Sequence, residues 1–397
     1  MDIIVALMWI ISGFVALLTL VFLIEILVAC FALKRRSISL SSEPEASSTT
    51  AAILIPAHNE EDVIEATINS ILPQLRQGDE VVVVADNCTD NTKQIAEQYN
   101  VTVIERNDHD RKGKGYALDF ALSYIKDKSF GAILMVDADC ILESGCRDSL
   151  VAETIRTSRP IQCLYLMHGS SSDASISQKV SEFAWVIKNK LRPLGLLTLK
   201  GPCHLMGTGM AFPASMLDEM ELATGCIVED MKLGLDLAVA GSAPKFLPDA
   251  LVWSRFPETE SLEAGQKSRW IHGHIEMIFL YVPVLLREFF KKRDINLLLI
   301  CLELLIPPLI LLLMINVAVL MLSLFLTILG DTKLYILSVS SVMLMVLALM
   351  MAWLFEGRKI VSLQELFSGL LSRLKSASVY LKFFTDRRKD WNKTSRK

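Results

Sequence analysis

Two carboxylates close an apolar run near the middle of the chain: Gly131 to Val136 reads as a buried strand that runs directly into Asp137-Ala138-Asp139. Residues two apart on an extended backbone point to the same side. Both charges therefore face one small volume, where joint ionisation is costly without a cation. A divalent metal resolves that conflict. Magnesium prefers one or two protein carboxylates together with substrate phosphate oxygens, which makes the segment a candidate site for a nucleotide diphosphate. Asp-x-Asp is also an ordinary way for a strand to enter a loop, so the pattern needs support from other residues.

That support comes from the elements that must position the pair. Ala51 to Pro56 reads as a buried strand, Glu61 to Leu72 as a helix, Glu80 to Ala85 as a strand and Thr89 to Tyr99 as a helix. Val101 to Glu105, Gly115 to Ile125 and Ala132 to Val136 continue the alternation as strand, helix, strand. The pattern predicts a mostly parallel sheet covered by helices on both faces, with ligands outside the carboxyl ends of the strands. Polar clusters follow each of these strands: Pro56-Ala57-His58-Asn59-Glu60, Asp86-Asn87-Cys88-Thr89-Asp90, Arg111-Lys112-Gly113-Lys114-Gly115 and Asp137-Ala138-Asp139. All four belong on one edge. Asn59, Thr89 and Asp90 equally suit helix capping. The Gly-Lys-Gly segment has neither the dinucleotide-binding glycine spacing nor a phosphate-loop ending, which disfavours a dehydrogenase or a P-loop ATPase.

The chain as a whole is too apolar for a soluble domain alone, with 52% hydrophobic residues and a mean hydropathy of +0.41. Ile3 to Ile24, Leu309 to Leu329 and Leu334 to Leu354 are uncharged and of spanning length. They read as an N-terminal anchor and a two-helix hairpin. Lys34-Arg35-Arg36 after the first span and Arg387-Arg388-Lys389 after the last predict that both flanks face the cytoplasm. A net charge of −4 argues against general nucleic-acid binding, while the basic tail suits membrane lipids or serves as a topology signal. The eight cysteines show no zinc spacing and read as reduced, small apolar fillers. Few ionisable residues in the spans, Glu25 chief among them, disfavour a transporter.

Two further clusters complete the set. Val228-Glu229-Asp230 precedes an amphipathic helical stretch, and Gln266, Arg269 and Trp270 share a helix face through their i, i+3, i+4 spacing. An Asp-x-Asp, then a Glu-Asp, then a Gln-x-x-Arg-Trp, in this order and at these distances, resembles the membrane-bound family 2 glycosyltransferases, the group that includes cellulose and hyaluronan synthases. The resemblance covers about Ala51 to Trp270 and extends to the flanking membrane segments. It implies an α/β GT-A fold, Rossmann-like with a mostly parallel mixed sheet, plus transmembrane helices and interfacial amphipathic helices. It also implies a nucleotide-sugar donor, a divalent cation (Mg2+ or Mn2+) and inversion at the anomeric carbon.

Carried onto this chain, the resemblance makes Asp230 the general base, with Glu229 orienting the acceptor or the helix terminus. Arg269 would face the leaving diphosphate, with Gln266 beside it and Trp270 against a sugar ring. Pro56, Ala57, Asn59, Glu60 and Asp86 would hold the nucleoside, Lys114 would lie near the phosphates, and Asp137 and Asp139 would serve the metal. Met206-Gly207-Thr208-Gly209-Met210 sits where relatives carry a short acceptor-facing motif, although a glycine-bounded turn explains it as well. Val228 replaces the threonine that precedes Glu-Asp in cellulose and hyaluronan enzymes, and the few spans make a self-contained export channel doubtful.

The expected organisation is an anchor at 1–36, a linker at 37–50, the catalytic domain at 51–270, an interfacial helix at 271–294, a transmembrane hairpin at 295–356, and an amphipathic helix with a basic tail at 357–397. The expected activity is transfer from a UDP-sugar, rather than a GDP-sugar, to a growing polysaccharide or lipid-linked glycan at the plasma (inner) membrane, with the catalytic domain in the cytoplasm. A glycolipid enzyme adding a single sugar and a noncatalytic membrane subunit are the alternatives. Export or assembly subunits would be further partners.

Overall fold

In the computed structural model the backbone is described for residues 2–36, 48–169, 175–257, 260–327 and 332–375. Most of the expected linker (37–47) and the basic tail (376–397) lie outside the described residues. The chain forms two compact units. Among the described residues, one comprises 48–169, 201–257 and 260–273, the other 2–36, 175–200, 274–327 and 332–375.

The first unit is built on an eight-stranded sheet. Its strands are β1 (Ala51–Ala57), β2 (Glu80–Asp86), β3 (Thr102–Arg106), β4 (Ala132–Met135), β5 (Ile141–Leu142), β6 (Ile161–His168), β7 (Met210–Pro213) and β8 (Lys245–Arg255). They lie in the order β3-β2-β1-β4-β7-β6-β8-β5. The continuous apolar runs of β1 and β2 are buried, as strands covered on both faces require. β1 pairs in parallel with β2 and β4, and β2 with β3. β7 then runs antiparallel to both β4 and β6, β6 and β8 are parallel, and β5 closes the edge antiparallel to β8. The sheet is thus mixed: β7 and β5 run against the other six strands.

Strand order reverses beside β1, since the chain builds outward through β2 and β3 and then returns to place β4 on the other side. Such a reversal opens a crevice at the carboxyl ends of the two central strands. Helices Lys114–Ile125 and Glu229–Ala240 cover one face there, with Leu118, Leu122, Leu233 and Leu237 in a single core with Leu54, Val82, Ile133 and Phe212. Each buried aliphatic side chain contributes roughly 2 kcal/mol, so the positions of these helices are firmly set. Lys114, Glu229 and Asp230 occupy their first turns.

The second unit contains three helices long and apolar enough to cross a membrane, Ile3–Arg35, Leu309–Thr327 and Thr332–Phe355. Residues 174–200, within the stretch expected to be catalytic, group with this unit. They form a helix, Ile176–Val186, a wide turn, Ile187–Leu191, and a second helix, Arg192–Thr198. Arg192 fixes them in place: its Nε donates to Glu25 Oε2 at 2.8 Å and its Nη2 to the Glu303 carbonyl at 3.0 Å. Glu303 is buried in this cluster. Asn316 ties the three spans together, donating to Thr19 Oγ1 at 3.1 Å and accepting from Ser341 Oγ at 2.6 Å. Such interhelical hydrogen bonds satisfy polar groups that would otherwise face hydrocarbon.

The expected interfacial helix 271–294 is continuous with the segment carrying Gln266, Arg269 and Trp270, in one helix, Glu260–Lys292. No residue near position 270 interrupts the helical hydrogen bonding; Pro283 lies farther along. The amphipathic segment near the C-terminus forms the helix Leu363–Lys375.

Candidate active site

The loops after β1 and β2 are stitched into one wall. Asn59, in a left-handed conformation with φ 56°, accepts the Thr89 N–H through Oδ1 at 2.6 Å. Thr92 Oγ1 accepts the Glu60 N–H at 2.7 Å, and Asp90 Oδ2 accepts the Glu61 N–H at 3.1 Å. Asn59 and Asp90 therefore tie the two loops together; the helices that follow begin after Val63 and Asn91 without a side-chain cap. Pro56 and Ala57 end β1 beneath this wall.

Asp86 closes β2 and is buried. Its Oδ1 accepts from Arg106 Nη1 at 2.6 Å and from Asn87 Nδ2 at 2.9 Å. Burial raises the Asp86 carboxyl above its ordinary value, against the pull of the Arg106 guanidinium. The reading of the sequence missed Arg106. An arginine ending the strand beside Asp86 was the available signal.

Lys114 occupies the centre of the edge. Its Nζ lies 2.5 Å from Asp137 Oδ1 and donates to the Gly207 carbonyl at 2.8 Å. Burial alone would lower the ammonium's pKa, but Asp137, Glu229 and Asp230 together raise it. Asp137 thus has a cation of its own from the chain. Burial and the neighbouring Asp230 push the Glu229 carboxyl up to about 7, with Lys114 opposing. Asp230 Oδ1 accepts the Met231 N–H at 2.8 Å.

Gly207 explains how these groups come so close. A Cβ there would lie 3.1 Å from both Asp230 Oδ2 and Lys114 Nζ, and the backbone has φ +89°. Only glycine fits both demands without strain.

The Gln266–Trp270 segment meets the Glu229-Asp230 turn. A Cβ on Gly273 would collide with the Val228 side chain, so this helix packs directly on the residue preceding Glu229. Arg269, one turn earlier on the same helix face, is half-buried. Burial lowers its guanidinium from the ordinary value, and the Glu229 carboxylate opposes that shift. Gln266 and Trp270 lie half-buried on the same helix.

The segment after β4 gathers a set of candidate metal ligands. One ligand atom each from Asp137, Asp139 and Cys140 lie within 4.8 Å of one another. Burial, with Asp137 next to it, pushes the Cys140 thiol up to about 12, and sulfur is a soft ligand that Mg2+ and Mn2+ pass over in favour of oxygen. That leaves two carboxylates, which fit a hard cation with oxygen preference.

Residues 49–273, more than half of the chain, match the family model described as "Glycosyltransferase like family 2". The chain belongs to that glycosyltransferase family. As a family 2 glycosyltransferase it is 24% identical over 267 residues to the probable glycosyltransferase YdaM of Bacillus subtilis (strain 168), covering 61% of this chain and 58% of the relative. It is 27% identical over 248 residues to the poly-beta-1,6-N-acetyl-D-glucosamine synthase of Staphylococcus aureus (strain MSSA476), covering 60% of this chain and 56% of that protein. The matches thus span somewhat over half the length of either relative. Among solved structures, the mannosyltransferase PcManGT from Pyrobaculum calidifontis, in complex with GDP-Man and Mn2+, superposes with a TM-score of 0.52 at 17% identity, covering 95% of this chain and 100% of that one. The GT-A fold expected for this glycosyltransferase is the one observed.

Proposed function

We propose that this chain is a membrane-embedded, inverting glycosyltransferase that moves a sugar from a nucleotide-sugar donor, UDP-linked rather than GDP-linked, to a growing polysaccharide or lipid-linked glycan. The observation that carries the reading is the meeting of Lys114, Asp137, Glu229, Asp230 and Arg269 at one sheet edge, from segments far apart along the chain.

In this reading Asp230 takes the proton of the acceptor hydroxyl while that oxygen attacks the anomeric carbon from the face opposite the diphosphate. The bond from the anomeric carbon to the diphosphate oxygen breaks, and the diphosphate leaves with the electron pair. Arg269 and Lys114 are fixed cations aimed at that growing charge, and Arg suits it because its planar fork matches two phosphate oxygens. Mg2+ or Mn2+, when held by Asp139 and Asp137, would supply further positive charge at the diphosphate. Gln266 would position the diphosphate beside Arg269, and Trp270 would pack against a sugar ring. Glu229, partly protonated near neutral pH, orients the acceptor beside Asp230. Pro56, Ala57, Asn59, Glu60 and Asp86 form the nucleoside wall, with Arg106 holding the Asp86 carboxylate in place.

The name of the Staphylococcus relative supports a glycan product, and Mn2+ in the mannosyltransferase complex supports a divalent metal. The apolar helices and their basic flanks support a plasma (inner) membrane protein with its catalytic face in the cytoplasm. The test is to incubate purified protein with a panel of UDP- and GDP-sugars plus Mg2+ or Mn2+ and follow donor consumption. Consumption of one UDP-sugar, abolished by chelation, is expected; no consumption of any donor contradicts the proposal.

A further inference from the structure

β6 and β8 pair in parallel near their carboxyl ends, with Leu166 opposite Trp253 and His168 opposite Arg255. β5 adds Ile141 on the other side of Trp253. One face of this corner is buried: Tyr165 and Ser254 are bonded there at 2.9 Å. The other face is open, with Ile141, Leu166 and Trp253 half-exposed and Glu143, His168 and Arg255 exposed.

This corner adjoins the part of the sheet that carries the candidate catalytic residues. Gln162 of β6 pairs with Met210 of β7, and Met210 belongs to the core formed with Leu233 and Leu237 of the helix that starts at Glu229-Asp230. The β6–β8 register shifts between Cys163 and Leu164, and beyond that shift Leu166 and His168 share one face. Trp253, opposite Leu166, joins them. β5 begins two residues after Asp139. Trp253 is also held in orientation: its Nε1–H donates to Glu143 Oε1 at 2.7 Å, and the His168 ring meets it edge-on with centroids 5.9 Å apart.

We propose that Trp253, flanked by Glu143 and His168, is a sugar-stacking subsite for the acceptor glycan, separate from the Gln266–Trp270 segment. A fixed aromatic ring matches the apolar C–H face of a pyranose, and a rim of carboxylate, imidazole and guanidinium matches its hydroxyls. The half-exposed aliphatic neighbours widen the apolar floor without closing it. The nucleoside wall is built on β1 and β2, on the opposite side of β4 from β6, β8 and β5, so the subsite takes sugars already incorporated rather than the donor. The proposal rests on the glycosyltransferase reading given above.

The experiment uses full-length protein in detergent, the donor it consumes, and its own product, released and fractionated by length, as acceptor. Trp253→Ala, Trp253→Phe and wild type are compared for donor hydrolysis without acceptor and for KM of the acceptor. Expected for Trp253→Ala are donor hydrolysis within about twofold of wild type and an acceptor KM raised at least about tenfold, with much of the loss recovered in Trp253→Phe. An unchanged acceptor KM in Trp253→Ala, with normal donor hydrolysis, overturns the subsite alone. A parallel collapse of donor hydrolysis in both variants also overturns it, because the residue would then be a structural part of the donor half. Failure of wild type to consume any donor overturns the underlying glycosyltransferase reading instead.

Discussion

The Lys114 ammonium lies 2.5 Å from Asp137 Oδ1 and donates to the carbonyl of Gly207, whose Cα faces Asp230. The cation expected beside the diphosphate is therefore also the group that lets Asp137, Glu229 and Asp230 share one edge of the sheet. Lys114→Met should lower donor turnover by at least about a hundredfold, since a transition-state cation and the local charge balance disappear together. Lys114→Arg should retain more, because the charge remains. Steady-state assays of both variants check this, and equal losses in the two would remove the charge argument.

Glu229 makes the protein's stability depend on pH. Its folded-state pKa of about 7 lies above the ordinary 4.5. The carboxyl's contribution is full below pH 4.5 and is lost as pH rises through about 7. The Tm of wild type should therefore fall relative to that of Glu229→Gln between about pH 5 and pH 8, as read by intrinsic fluorescence. Parallel Tm curves for the two proteins would show that Glu229 titrates normally.

Close approach at two glycines is testable by adding a single methyl. Gly207→Ala places that methyl against Asp230 and Lys114 on a left-handed backbone, at a cost of roughly 1–2 kcal/mol in strain alone. Turnover should drop sharply while the protein remains folded by circular dichroism. Gly273→Ala collides with Val228, and Val228→Ala should restore part of its activity. Additive losses in that double-mutant cycle would mean that the two residues do not couple.

In the membrane unit, Arg192→Leu leaves the Glu25 and Glu303 carboxylates buried without their cation. Removing one partner of a buried pair costs about 3–5 kcal/mol, so Tm in detergent should fall by roughly 5 °C or more. Adding Glu25→Gln and Glu303→Gln to Arg192→Leu should recover much of the loss. A triple variant no better than Arg192→Leu would show that packing, not charge, held the cluster.

The parts of the structure visible in the amino-acid pattern were those with local causes. Val81 to Val84 and Ile53 to Ile55 are strand-like because a buried parallel strand must be apolar on both faces, and Gln266, Arg269 and Trp270 share a helix face through spacing alone. What stayed hidden depends on distant partners. Lys188, Lys190 and Arg192 give the 174–200 segment the look of a soluble helix, and its affiliation with the spanning helices comes from Arg192 finding Glu25 and Glu303. β5 is two residues long and β7 four, too short to show alternation, so the two strands that run against the rest of the sheet left little trace. The fit of Gly273 against Val228 joins residues 45 apart (273 − 228), which no periodicity reports.

Donor turnover by Asp230→Asn beside wild type tests the central claim most directly, with nucleotide binding measured on the same samples. A fall in transfer of about a thousandfold or more with nucleotide affinity nearly unchanged is the predicted result. Near-normal transfer by Asp230→Asn would contradict the assignment of the base and with it the proposed use of the whole edge.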